Sequence, residues 1–210
     1  MFEDRASAGR ELARSLEKFR DQDVLVIGIP RGGVILAAEV ADALNAPLDL
    51  IITRKIGAPG NEELAIGAVA GGGQVMLNSK LVEALNVSKD YIEERVEKAV
   101  AEIKRRRRLY LGELPSTNVG NKTVLVIDDG LATGYTALAA IEMLRTMKPQ
   151  KIVLAVPVAP SETVARLTPK VDELVYLSMP REFFAVGQFY DEFHQVTDEE
   201  VIDRIKARAT

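Results

Sequence analysis

Residues 124–136 read Val-Leu-Val-Ile-Asp-Asp-Gly-Leu-Ala-Thr-Gly-Tyr-Thr. Apolar β-formers run into the adjacent acids Asp128 and Asp129, small residues follow, and a helical pattern extends from Thr136 to Met147. This order predicts a buried strand, a tight turn and a helix N-terminus in succession. Backbone N–H groups of such a turn converge on one spot, and the helix dipole favours an anion there. Carboxylates beside a phosphate seat suit a ligand that carries both phosphate and hydroxyls. A ribose 5-phosphate fits, with its phosphate on the N–H groups and its 2′ and 3′ hydroxyls donating to the acids. Helix capping alone would need a single acid at the N-cap, not an adjacent pair at a strand end.

The segment resembles the phosphoribosyl diphosphate (PRPP) binding motif of type I phosphoribosyltransferases: an apolar strand, an acid pair, then a loop ending in Thr-Gly-x-Thr. The resemblance implies an enzyme that transfers a 5-phosphoribosyl group from Mg-PRPP to a nitrogenous base and releases diphosphate. It implies that Asp128 and Asp129 are the catalytic acids, holding the ribose hydroxyls and stabilising positive charge on the ring. Gly130, Ala132, Thr133, Gly134, Tyr135 and Thr136 would complete the ribose 5-phosphate site. Mg²⁺ would arrive on PRPP rather than on direct protein ligands, because it keeps waters and prefers substrate phosphates. Homodimers are common in this family, which makes a second copy a candidate partner. Ala132 is a departure: hypoxanthine-guanine enzymes carry an aspartate there that acts on the purine, whereas adenine enzymes carry alanine. A general base would then come from elsewhere, with Glu62 and Glu63 as nearby candidates, or be dispensable. The same departure keeps open a second reading, a PRPP- or nucleotide-binding regulatory module without turnover.

PRPP transfer develops negative charge on the departing diphosphate, and preorganised cations stabilise it. Three groups of residues offer them. Arg31-Gly32-Gly33 follows the first apolar run; glycine admits a close backbone approach and arginine binds phosphate oxygens bidentately. It resembles the family's diphosphate loop, which implies a non-proline cis peptide, placed here at Arg31–Gly32. Arg54 and Lys55 follow the next apolar run and resemble the Arg-Lys pair that approaches diphosphate in adenine and orotate enzymes. Arg105, Arg106, Arg107 and Arg108 could close a lid that excludes water, or simply occupy a solvated helix end. Tyr110 is equally open. Acceptor specificity in the family comes from a variable hood. Residues 179–191 concentrate aromatics, so Phe183, Phe184, Phe189 and Tyr190 could stack on a base or anchor the tail to the core. The sole histidine, His194, is expected to be structural or exposed rather than catalytic.

Apolar runs at 24–29, 48–53, 124–127, 151–156 and 173–177 alternate with helical patterns at 34–44, 136–147 and 162–167. The fold class is α/β, a doubly wound, mainly parallel sheet with helices on both faces. Ligands of such sheets bind at the carboxyl ends of the strands, so loops 30–33, 54–63 and 128–136 should converge on one crevice. An amphipathic helix is expected at 5–20, with Leu12, Leu16 and Phe19 on one face. An added β-hairpin is expected at 65–70 and 74–78 around Gly71-Gly72-Gly73. Ser88 should cap a long helix, 112–122 should be a loop, and Thr197 with Glu200 should form a capping box. The chain reads as a single domain, 1–210, with a core at about 20–178 and a hood at about 179–195.

Composition narrows the function classes. The 210 residues hold 47% hydrophobic positions, enough for a full core. There is no cysteine, which makes the cytoplasm the default compartment and excludes thiolate chemistry. A net charge of −4 argues against a nucleic-acid partner, one histidine rules out a His-rich metal site, and no apolar run is long enough for a membrane span or a leader.

Overall fold

The computed structural model describes residues 1–71, 75–112 and 118–207. The hairpin tip at Gly72, Gly73 and Gln74, the side chain of Glu63, and residues 113–117 of the expected 112–122 loop lie outside the described residues. In chain order the elements are α1 (Arg5–Ser15), β1 (Val24–Gly28), α2 (Gly32–Leu44), β2 (Leu48–Leu50), β3 (Thr53–Ala58), β4 (Asn61–Ala70), β5 (Val75–Leu77), α3 (Ser79–Ala84) and α4 (Lys89–Leu111). They continue as β6 (Thr123–Ile127), α5 (Tyr135–Thr146), β7 (Lys151–Val158), α6 (Ser161–Leu167), β8 (Glu173–Ser178) and α7 (Asp198–Lys206).

The main sheet has five parallel strands in the order β2-β1-β6-β7-β8. Its apolar runs are continuous because both faces are covered. Val24, Val26, Leu125 and Ile127 enter the core beneath α1 and α2 with Leu12, Leu36 and Val40. Leu25, Ile27, Val124 and Val126 point the opposite way, into the core beneath α5 with Ile141, Leu144 and Leu167. Strand order reverses at β1, so the chain leaves β1 and β6 in opposite directions and opens a crevice at their carboxyl ends.

A second, antiparallel sheet, β3-β4-β5, stands beside the first. The hairpin expected around Gly71 is present as β4 and β5, but residues 54–63 are not a loop. They form most of β3 and the start of β4. Gly57 and Pro59 mislead here: Gly57 sits where a Cβ would come within 2.6 Å of Glu62 Cα, and Gly60 takes φ +75° in the tight connection. A register shift at Ile56/Gly57 absorbs the irregularity. Ile56, Ile66 and Val69 bury against Ile103 and Tyr110 of α4. Ser88 caps α4 by accepting from the Tyr91 N–H at 3.2 Å, and the Thr197–Glu200 box opens α7.

Helices α1 and α2 touch where Gly9 meets Leu36. A Cβ at position 9 would lie 2.9 Å from Leu36 Cα, which is backbone and cannot yield. Gly9→Val should therefore lower the unfolding free energy by about 1–3 kcal/mol in chemical denaturation. An unchanged midpoint would mean that the helices slide past each other freely.

Candidate active site

The carboxyl ends of β1 and β6 are fused into one layer. Ile29 N–H donates to Ile127 O at 2.9 Å, and Gly33 brings the start of α2 so close that a Cβ would lie 2.8 Å from Asp128 Cα. A Cβ on Gly32 would collide with the Asp129 carboxylate. The glycines of the Arg31-Gly32-Gly33 loop are thus required first by the acids, whatever else approaches them. The cis peptide falls at Pro30–Arg31, one residue before the bond expected from the sequence.

Each acid has an oxygen held by a neighbouring donor. Asp128 Oδ1 accepts from the Asp129 N–H at 2.9 Å, and Asp129 Oδ2 accepts from Arg5 Nε at 2.8 Å. Both side chains keep some surface on the crevice yet are surrounded by protein. Burial pushes the Asp128 carboxyl well above its ordinary range, and the neighbouring Asp129 charge adds to the rise. Burial also raises Asp129, but the Arg5 guanidinium opposes it. Tyr190 O–H donates to the Asp129 carbonyl at 2.6 Å and secures the loop from its other side.

Beyond the acids, Leu131 is buried and its N–H donates to Val158 O, while Thr163 Oγ1 donates to the Ala132 carbonyl at 2.6 Å. Gly134 opens α5 with φ +66°, and a Cβ there would meet Thr163 Cγ2 at 2.7 Å and Leu167 Cδ1 at 2.9 Å. Only glycine satisfies both the left-handed turn and the space. Among the described residues no side chain caps α5, so its first N–H groups keep their capacity for an anion. Ala132, Thr133 and Thr136 are exposed beside it, and the Arg166 guanidinium covers the Tyr135 ring at 4.8 Å.

The expected cations are placed less uniformly. Arg31 lies 3.8 Å from Asp198 at the start of α7, which also accepts from the Tyr110 hydroxyl at 2.5 Å. Arg54 and Lys55 stand in β3; Arg54 pairs with Glu102 of α4 at 3.2 Å, and its pKa is lowered by burial and by nearby Arg106. Arg105, Arg106, Arg107 and Arg108 occupy the last turns of α4, a regular helix, rather than a loop. Arg105 and Arg106 both bind Glu102, whose carboxyl falls to about 2, chiefly through the Arg105 hydrogen bond.

The C-terminal tail crosses the acid loop, with Val186 where a Cβ on Gly130 would lie 2.6 Å away. Phe183 and Phe189 pack on each other at 5.3 Å, and Phe184 is 86% exposed. Tyr190 is not a platform for a base. It is buried, with Phe2 at 5.4 Å and Phe193 at 4.9 Å, because the N-terminal arm bridges to it. His194 bonds Glu200 through Nε2 at 2.9 Å. Arg5, Thr163 and Asp198 were invisible as site residues in the sequence. They lie far from the motif, and nothing in their spacing marks them.

Both acids have folded-state pKa values above their unfolded ones, so their ionisation opposes folding. That cost is complete above the folded pKa and disappears as pH falls to the unfolded value. Asp128→Asn should therefore raise the melting temperature at pH 7–8, by about 2–4 °C for each kcal/mol relieved. The gain should vanish towards pH 4. A gain that persists at pH 4 would show that charge is not its origin.

The sequence profile described as the phosphoribosyl transferase domain matches residues 3–187. Two Mycobacterium tuberculosis proteins, from strains CDC 1551 and H37Rv and provisionally named phosphoribosyl transferases, are each 40% identical over 202 residues. The match covers 96% of this chain and 46% of theirs, so the chain spans about half their length. The crystal structure of TT1426 from Thermus thermophilus superposes with a TM-score of 0.86 at 38% identity, covering 99% of both chains. With a buried acid pair at the end of β6, a glycine-opened helix after it and a family match across most of its length, this chain belongs to the phosphoribosyl transferase domain family.

Proposed function

We propose that the crevice between β1 and β6 binds Mg-PRPP and transfers its 5-phosphoribosyl group to a nitrogenous base, releasing diphosphate. One observation carries the reading: a single loop, 128–134, joins two partly engaged carboxylates to an uncapped helix N-terminus. That pairing offers hydroxyl acceptors and a phosphate seat side by side. Thr133, Gly134, Tyr135 and Thr136 take the 5′-phosphate. Asp128 and Asp129 accept from the ribose hydroxyls and favour the positive ring of the transition state. Arg31 and the Gly32 backbone receive the diphosphate, with Arg54 and Lys55 contributing from β3.

Among the described residues, no group of three or more acids and histidines is placed to hold a metal by itself. Mg²⁺ fits as a companion of the diphosphate, where it neutralises charge on the leaving group. Ala132 supplies no acid, and its carbonyl is held by Thr163, so proton removal from the acceptor does not come from this position. Phe183 and Phe184 are the tail aromatics left to meet a base. The chain acts in nucleotide metabolism, and a second copy is a candidate partner.

The test is diphosphate release from Mg-PRPP with a panel of purine and pyrimidine bases. Release with one base names the acceptor. Asp128→Asn and Asp129→Asn should each lower kcat/KM by about 10²-fold or more with the fold intact. Normal turnover by both variants would refute the assignment. PRPP binding without release for any base would identify a regulatory binding module instead.

A further inference from the structure

Arg5 stands at the first position of α1, a segment whose sequence suggests only an amphipathic surface helix, yet it is buried. Its guanidinium is held by two hydrogen bonds and a ring contact. Nε donates to Asp129 Oδ2 at 2.8 Å, and NH1 donates to the His194 carbonyl at 2.8 Å. One face lies on the Phe193 ring, 3.7 Å from its centroid. The Gly32 backbone packs so close that a Cβ there would sit 2.9 Å from Nε. The helix bearing it is locked in turn, since Asp4 and Ser7 form a reciprocal capping box.

This geometry sorts the carboxylate oxygens. Asp129 Oδ2 is held by Arg5 and Asp128 Oδ1 by the Asp129 N–H, which leaves Asp129 Oδ1 and Asp128 Oδ2 as the oxygens bonded to neither of those donors. The two side chains are within hydrogen-bonding reach of each other. Adjacent buried acids tend to hold a proton between them and turn inward, and a cation on the far side of Asp129 works against that tendency. A vicinal diol needs the opposite arrangement, two acceptor oxygens facing outward together.

We propose that Arg5 is a positioning residue of the active site, holding Asp129 so that one oxygen of each acid is presented to the vicinal hydroxyls of the ribose. The inference rests on the ribose ligand proposed above. Arg5 acts through Asp129 and does not itself touch the substrate. The groups that face Asp129 are Asp128 in the same loop, Arg5 from α1 and the Tyr190 phenol from the tail; Gly32 of α2 brings no charge. Arg5 is thus the cation that opposes the charge of the pair. Lysine keeps the charge but cannot donate at once to Asp129 and His194 in the planar arrangement of a guanidinium.

A double-mutant cycle tests this, with PRPP affinity measured by calorimetry for wild type, Arg5→Met, Asp129→Asn and the double variant. Arg5→Met should weaken PRPP binding at least tenfold, Arg5→Lys should recover part of the loss, and most of the Arg5→Met effect should vanish in the Asp129→Asn background. An equal loss in both backgrounds would show that Arg5 merely supports the fold and would overturn the proposal. If Arg5→Met does not fold, Arg5→Lys runs the same cycle. The Asp129 side-chain carboxyl carbon resonance in ligand-free protein gives an independent reading. A shift in the Arg5 variant, largest without a cation, supports the hold on Asp129, and an unmoved resonance overturns it. Wild-type protein that fails to bind PRPP would sink the ligand assignment, while the carboxyl resonance would still decide the role of Arg5.

Discussion

Two carboxylates on consecutive residues at the end of a buried strand repel each other, and burial makes each costlier to ionise. The surroundings of Asp128 and Asp129 answer that problem from four directions. Arg5 arrives from α1, the Asp129 N–H turns onto Asp128, Gly32 and Gly33 clear space from α2, and Tyr190 secures the loop backbone. Removing any one leaves a buried polar group unsatisfied or a backbone in collision, which is why distant parts of the chain are committed to one short loop.

The layering of the sheet brings those parts within reach. Parallel strands place their carboxyl ends on one edge, and the reversal of strand order at β1 sets α2 and α5 on opposite faces. Alternate residues of β1 and β6 feed two separate apolar cores, so neither strand can shift register without turning core residues to the wrong layer. The acids inherit their position from that constraint. The second sheet is covered by α4, where Glu102 gathers Arg54, Arg105 and Arg106 into one ion-pair cluster.

Much of this was legible in the sequence because it is local. The main strands, their order of alternation with helices, the Ser88 and Thr197 caps and the 124–136 motif are all written within short windows. The errors fell where tertiary packing decides. Gly57 and Pro59 read as loop punctuation, but a crossing hairpin needs a glycine and a turn at those places. Tyr190 stayed open between base platform and tail anchor because nothing local shows that Phe2 pairs with it. The cis peptide was displaced by one residue. Arg5 was unreadable: an arginine on an amphipathic helix has the same local signature whether it faces water or a carboxylate.

The pairing of the N-terminal arm with the tail has a consequence in time. Phe2 N–H donates to Phe189 O, Asp191 N–H to Phe2 O and Glu192 N–H to Glu3 O, so the arm and tail bind each other across nearly the whole sequence. Such contacts carry the largest loop-closure cost and form late in folding. On a ribosome adding roughly 5–20 residues each second, the acid loop emerges several seconds before the tail that anchors it. In that interval Phe2 lacks the Tyr190 ring, and neither the Phe193 ring nor the His194 carbonyl that hold Arg5 has been made. Until the tail is made, the acid loop lacks both the Tyr190 hydroxyl and the His194 carbonyl that help to hold it.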